Sequence, residues 1–221
     1  MKVATHNGMT ITFNPAWHSY SCNGSKLTSV SKHMQQFKQP FDPDGIITAR
    51  CAIKEGIPVE ELKAKWRLKG QNSMELGSAV HGYMESLWAG KTCQMPYPEY
   101  TDTCRDLHEY LNNRYEFIEA EKIIFSKDLQ LAGTTDLILK HDNYYVIIDY
   151  KTGDFYKPAY GNLLEPYQLY AASNLNIYSM QLAFYKKIMA YENYFDGDIR
   201  TGLIHIRPDG FEPIQTIFAT V

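Results

Sequence analysis

Two aspartates and a lysine stand in stretches that otherwise read as buried strand: Asp136 in "LAGTTDLILK", Asp149 and Lys151 in "YYVIIDYK". Between the runs, Asp142-Asn143 tolerates the positive φ of a two-residue turn, so an antiparallel hairpin is expected. Pairing His141 with Tyr144 then sets Lys140 against Tyr145, Leu139 against Val146, Ile138 against Ile147, Leu137 against Ile148 and Asp136 against Asp149. Cross-strand Cβ atoms lie about 4.5–5.5 Å apart, and like charges there repel unless something positive sits between them. Strand alternation sends Lys151 to the face of Asp149 and Tyr150 to the other. Two carboxylates and an ammonium fit a hard divalent cation, Mg²⁺ or Mn²⁺. Such an ion activates water and neutralises a phosphate, while Lys151 orients the water or offsets the developing charge, which is the chemistry of phosphodiester hydrolysis. The plainer account is a buried Asp/Lys salt bridge that fixes register. Asp-x-Lys or Glu-x-Lys alone says little, since Glu61-Leu62-Lys63 has the same spacing in a helical segment.

The elements that must position these groups follow from pattern. "YYVIIDY" is apolar on both alternating faces, as in a central strand covered by helices on each side. Residues 9–30 alternate around Asn23-Gly24 and predict a β-ribbon. Residues 29 to about 119 read mostly as helix, with "PVEELKAKWRLKG" and "SMELGSAVHGYMESLW" as separate segments and "DTCRDLHEYLNNRYEFIEA" as another. Strands are expected at "KIIFS", "LQLAGTTDLIL" and "YYVIIDY", helices near 166–175 and 180–191, and a closing hairpin at "RPDG". This order is α/β without repeated βαβ units, and neither GxGxxG nor GxxxxGK[ST] is present.

At 221 residues the chain is expected to form one domain, 1–119 supplying ribbon and helical layer and 120–221 the catalytic sheet, flanking helices and hairpin. Four cysteines without a CxxC pair point to reduced thiols in a cytosol-like compartment. "MKVATHNGMTITF" has no signal-peptide character, and no apolar run approaches a membrane span. A net charge of −3 gives no global attraction for nucleic acid, although it leaves a local groove open.

"GTTD" (133–136) followed by "IIDYKTG" (147–153) resembles the core of the PD-(D/E)XK nuclease superfamily, in particular its RecB-like exonuclease branch. "ELGSAVHGYME" resembles that branch's upstream helix, whose histidine, here His81, sits at the metal site, and "EPYQLYAA" resembles its downstream helix, placing Gln168 and Tyr170 beside the catalytic lysine. "TSVSK" and "KAKWRLKG" add similarity to small phage exonucleases and mitochondrial genome maintenance exonucleases. Thr135 stands where the family commonly has proline, and Tyr170 lies closer to Gln168 than the family's tyrosine does.

The resemblance implies a restriction-endonuclease-like fold, a mixed central sheet flanked by helices. It also implies a DNA exonuclease using one or two Mg²⁺ or Mn²⁺ ions on DNA with a free end. The expected setting is viral recombination, repair or replication, in the host cytoplasm if the protein is viral. No iron–sulfur cluster is expected, since no cysteine follows Cys104. Asp136, Asp149, Lys151 and Gln168 are the expected catalytic residues, with His81, Glu85 and Glu121 joining the aspartates as ligands. Lys63, Lys65, Arg67 and Lys69 around Trp66, with Tyr170, are candidates for DNA contact. Such basic residues are more often a solvated helix face, and at i, i+4 spacing they split into stripes 63/67 and 65/69. An endonuclease or resolvase of the same fold is the alternative within this chemistry; a non-catalytic nucleic-acid binder is the alternative outside it.

Overall fold

A computed structural model describes residues 1–156, 159, 161–218 and 221. The chain opens with four antiparallel strands, β1 (Lys2–His6), β2 (Met9–Asn14), β3 (Ser19–Cys22) and β4 (Ser25–Ser29). Asn23 and Gly24, at φ 47° and 81°, make the two-residue turn expected between β3 and β4. The ribbon also gains β1, one strand more than expected.

Helices α1 (Val30–His33), α2 (Ile46–Glu55), α3 (Val59–Trp88) and α4 (Thr101–Asn112) follow, then β5 (Glu116–Ser126), β6 (Leu131–His141) and β7 (Tyr144–Lys151). Helix α5 (Asn174–Tyr191) crosses from β7 to the parallel strand β8 (Asp198–Arg207), and β9 (Gly210–Ile214) returns antiparallel through the Pro208-Asp209 turn. The nine strands among the described residues form one mixed sheet. On one face α5 packs on Ile138, Ile147 and Leu203. On the other, α3 and α4 cover Leu137, Leu139, Ile148 and Ile204, so β7 is a central strand covered on both sides, as its apolar run requires. The ribbon packs Ile11, Tyr20 and Leu27 on Ile123, Phe125 and Ala132.

Three expectations are corrected. The two helices placed either side of Gly70 are one helix of 30 residues, because a single glycine costs only about 1 kcal/mol among strong helix formers. Residues 116–120, placed in a helix, begin β5: Glu116 and Phe117 pair with Lys140 and Leu139 of β6 and, past a bulge at Ile118, Glu119 and Ala120 pair with Ile138 and Leu137. The helix expected near 166–175 is absent up to Ser173: Leu163 N–H donates to the Tyr170 carbonyl (2.9 Å) and folds the segment back on itself. Helix α5 starts only after Ser173, whose hydroxyl caps the Asn176 N–H at 3.2 Å.

The sheet forks at the feature that matters. β5 pairs β6 along its length, occupying one edge. On the other edge β6 meets β4 in parallel at Leu131 and Ala132, and β7 only from Leu137 to His141. Gly133 to Asp136 lie between these two contacts, and that break in the ladder opens the sheet.

Gly70 has no atom within 4 Å of where a Cβ would stand. Gly70→Ala is therefore expected to raise stability by about 0.5–1 kcal/mol in urea denaturation, and a loss of stability would show that the helix breaks there.

Candidate active site

The β6–β7 register is the one the hairpin turn demands, from His141↔Tyr144 to Leu137↔Ile148, with Asp142 at φ 48°. Ladder pairing stops there, one pair short of Asp136 and Asp149. Instead of facing Asp149 in a ladder, Asp136 turns its carboxylate to the neighbouring backbone, and its Oδ2 accepts the Tyr150 N–H at 2.8 Å. The Tyr150 carbonyl accepts from His81 Nε2 at 2.9 Å. A carbonyl only accepts, so Nε2 carries the hydrogen and Nδ1 is the nitrogen left facing Asp136 Oδ1, 3.4 Å away.

Asp149 and Lys151 share a face as alternation requires, while the Tyr150 ring is buried on the opposite side, where its hydroxyl accepts from Trp88 Nε1 (3.2 Å). Lys151 Nζ stands 2.6 Å from Asp149 Oδ2 as an ion pair, at an angle that leaves that buried oxygen without a well-formed hydrogen bond. Asp136, Asp149, Lys151, His81 and Glu121 all line one open cavity of about 460 Å³. Donor atoms of His81, Glu121 and Asp136 lie within 4.8 Å of one another, close enough to share a cation.

Glu121 sits in the middle of β5 rather than at its start, in the left-handed region at φ 52°. A non-glycine residue held there costs of order 1–3 kcal/mol, and such strain collects at functional sites. Burial and the nearby Asp136 raise the Glu121 pKa, against the pull of Lys2, whose Nζ lies 3.8 Å from it.

The electrostatics are those of a site built for added positive charge. Burial opposes ionisation of Asp136, but His81, Lys151 and the Tyr150 N–H prevail and hold its carboxyl below the usual range. For Asp149 burial prevails: despite the adjoining ammonium, loss of water and the charge of Asp136 push it up to about 6. Lys151 is disfavoured by burial, yet the two aspartates raise its pKa and keep it an ammonium. Burial also works against a charged His81, but Asp136 raises its pKa to about 9.

Other expected residues fall elsewhere. Gln168 lies on the exposed loop, where its backbone carbonyl accepts from the Asn162 side-chain amide, and the Tyr170 ring packs at a tilt against Phe218, centroids 4.5 Å apart. Neither lines the cavity, because the helix meant to carry them is absent. Gln181 and Tyr185 reach it instead, one turn apart on α5 and joined by a 2.8 Å hydrogen bond. A glutamine inside the buried run "MQLAFY" was the available signal, since a polar group enters such a run only with a partner. Glu85, a turn beyond His81, is exposed and outside the donor cluster. Lys63 pairs with Asp44 and Glu60, and Lys65 with Glu55. Trp66 leans on Phe41, and Arg67 lies 14 residues before His81, roughly 20 Å along the helix. The ribbon forms part of the wall: His18 and Tyr20 line the cavity, and the Tyr20 hydroxyl bonds Thr134 Oγ1 at 2.9 Å.

Residues 59–212, from α3 to β9, match the PD-(D/E)XK nuclease superfamily, and the chain belongs to that superfamily. No curated protein matches it significantly. Membership makes the chain a nuclease-family protein acting on nucleic acid, in a class that uses divalent metal, and its fold is the restriction-endonuclease-like core. Among the described residues no helix is long and apolar enough to cross a membrane.

Two outcomes follow from this geometry. A Cβ on Gly133 would collide with the buried Tyr185 ring. Gly133→Ala should cost about 1–3 kcal/mol in urea denaturation and shift Tyr185; an unchanged midpoint would show that the ring does not occupy that space. The second concerns protons. In the metal-free protein the raised His81 pKa contributes stability that is present below the unfolded value of 6.5 and lost as pH rises through about 9. A cation using Nδ1 must displace that proton, so divalent affinity should climb by up to about tenfold per pH unit below about 9 and level off above. Calorimetry of Mn²⁺ binding in buffers of different ionisation enthalpy counts the proton; none released at pH 7.5 would exclude His81 as a ligand.

Proposed function

We propose that the protein is a divalent-metal-dependent DNA exonuclease of the RecB-like branch. The observation that carries the reading is the convergence of His81, Glu121, Asp136, Asp149 and Lys151 on one cavity at the break in the β6 ladder. The donor set fits a hard cation: oxygen donors from Glu121 and Asp136, a neutral nitrogen from His81 once deprotonated, and a buried Asp149 oxygen without a full hydrogen-bond complement. When bound, Mg²⁺ or Mn²⁺ supplies charge neutralisation at the scissile phosphate and acidification of the attacking water.

The chain's own residues do the rest. Asp136 and His81, both fastened to the Tyr150 backbone, hold the ligand geometry. Lys151, kept protonated by two carboxylates, is unsuited to take a proton; it offers positive charge to the phosphate oxygens and a hydrogen bond to orient water. Asp149, whose pKa of about 6 leaves it mostly ionised at neutral pH, holds that ammonium in place. Support for the exonuclease mode is the resemblance of "GTTD", "IIDYKTG" and "ELGSAVHGYME" to that branch. Trp66 and the exposed Arg67, which makes no ion pair among the described residues, are the better placed of the α3 residues to meet DNA outside the cavity.

Digestion of end-labelled linear and closed circular DNA with Mg²⁺ or Mn²⁺ tests this. Linear DNA should be degraded from an end and circular DNA left intact; nicking of the circle would show an endonuclease. Lys151→Ala and Asp149→Ala should each lower the rate about 100-fold or more while still folding. Undiminished activity in both would sink the site.

A further inference from the structure

A second cavity, of about 410 Å³, lies behind the first and shares with it only Gly77, His81 and Lys151. The groups that would flank a scissile phosphate therefore form a ridge with a hollow on each side. The two hollows differ in chemistry. Among the described residues three carboxylates line the first and none lines the second, whose walls are Met74 and Leu76 of α3, Thr152 and Gly153 beyond β7, and Tyr178 of α5.

Tyr178 is held in place. Phe155 packs against its ring at 5.5 Å, and Lys151 Nζ sits 5.0 Å from the ring centroid. Met74 is 67% exposed and belongs to none of the three apolar clusters, so its thioether is an unpartnered apolar group at the rim. Met74, Gly77 and His81, at i, i+3 and i+7, lie along one stripe of α3 that runs from the second hollow to the ridge. At Gly77 the stripe is bare: a Cβ there would have Thr152 Oγ1, 3.9 Å away, as its nearest neighbour.

We propose that the second cavity is a nucleobase subsite, which receives the base of one nucleotide next to the phosphodiester held at the ridge. The base lies against Tyr178 and Met74, with the Ser73 and Thr152 hydroxyls near its polar edge, and the sugar–phosphate backbone passes over Gly77. A flat, largely apolar body with a hydrogen-bonding rim matches these walls, whereas a second phosphate would meet, among the described residues, only Lys151, already paired with Asp149, and His81, already turned to Asp136 and the Tyr150 carbonyl. A base received in this hollow has left its stack and its partner, so this reading requires the nucleotide beside the cut to be unpaired. The subsite rests on the hydrolytic reading above and adds to it a requirement for the base.

The test compares kcat/KM for a single-stranded oligonucleotide with that for the same strand made of abasic residues, in wild type, Met74→Ala and Gly77→Leu. Bis(p-nitrophenyl) phosphate, a diester without a base, serves as a separate probe of wild-type hydrolysis. Leucine at Gly77 suits a helix and narrows the passage between the hollows; Met74→Ala covers the case in which the bulkier change disturbs folding. In wild type the intact strand should be favoured about tenfold or more, a ratio within the range of one base–aromatic stack. That ratio should fall several-fold toward one in both variants, whatever their absolute rates. A wild-type ratio near one, or a ratio unchanged in both variants, overturns the subsite while hydrolysis of the diester leaves the catalytic reading standing. No hydrolysis of either substrate by the wild type overturns that reading and the subsite with it.

Discussion

Where β7 parts from β6 after Ile148, the Tyr150 peptide loses its place in the ladder, and its buried N–H and C=O must find partners elsewhere. Asp136 accepts from the first and His81 donates to the second. Leaving either group unpaired would cost about 1–3 kcal/mol, so the ordinary demand for hydrogen bonds in a sheet fixes two polar side chains from distant elements. This constraint selects the histidine tautomer, brings α3 down onto the fork and leaves Nδ1 and the carboxylate facing one another. The packing behind it is firm: the Tyr150 ring is locked under Trp88, and Ile138 and Ile147 are fully buried beneath α5.

The site holds more negative charge than its burial favours. Asp136 and Asp149 respond in opposite directions, one kept ionised by His81 and the Tyr150 N–H, the other pushed toward neutrality although it touches an ammonium. Glu121 is raised as well and sits on a strained backbone. Carboxylates that resist ionisation around an open cavity amount to stored electrostatic free energy, which a divalent cation would release on binding. The ammonium of Lys151 offsets only part of it, and from the side that faces the second hollow.

The hairpin was legible because its signals are local and mutually consistent. Asp142-Asn143 set the turn, period-two alternation set the faces, and the register follows residue by residue to Leu137↔Ile148. The chemistry of Asp136 was harder to foresee, since nothing in "GTTD" shows that β4 and β7 would share one edge of β6 and leave a gap between them. Gly70 read as a helix stop because propensity is a weak local term that flanking residues override. Gln168 and Tyr170 misled for the opposite reason: a short motif looked right, while the Ser173 cap that starts the helix later, and the buried Gln181 and Tyr185 beyond it, gave a fainter signal. The ribbon read as structural, yet its Tyr20 and His18 form a wall of the cavity, a contact between residues more than 100 positions apart in sequence from Thr134.

All of this converges on one place where the proposed cation would sit. Anomalous diffraction from a crystal of the protein soaked in Mn²⁺ measures it directly. The account predicts a peak within coordination distance of Asp136, Glu121 and His81 Nδ1, beside Asp149. A well-occupied peak away from these groups, or none at millimolar Mn²⁺ at a pH where His81 is neutral, would contradict it.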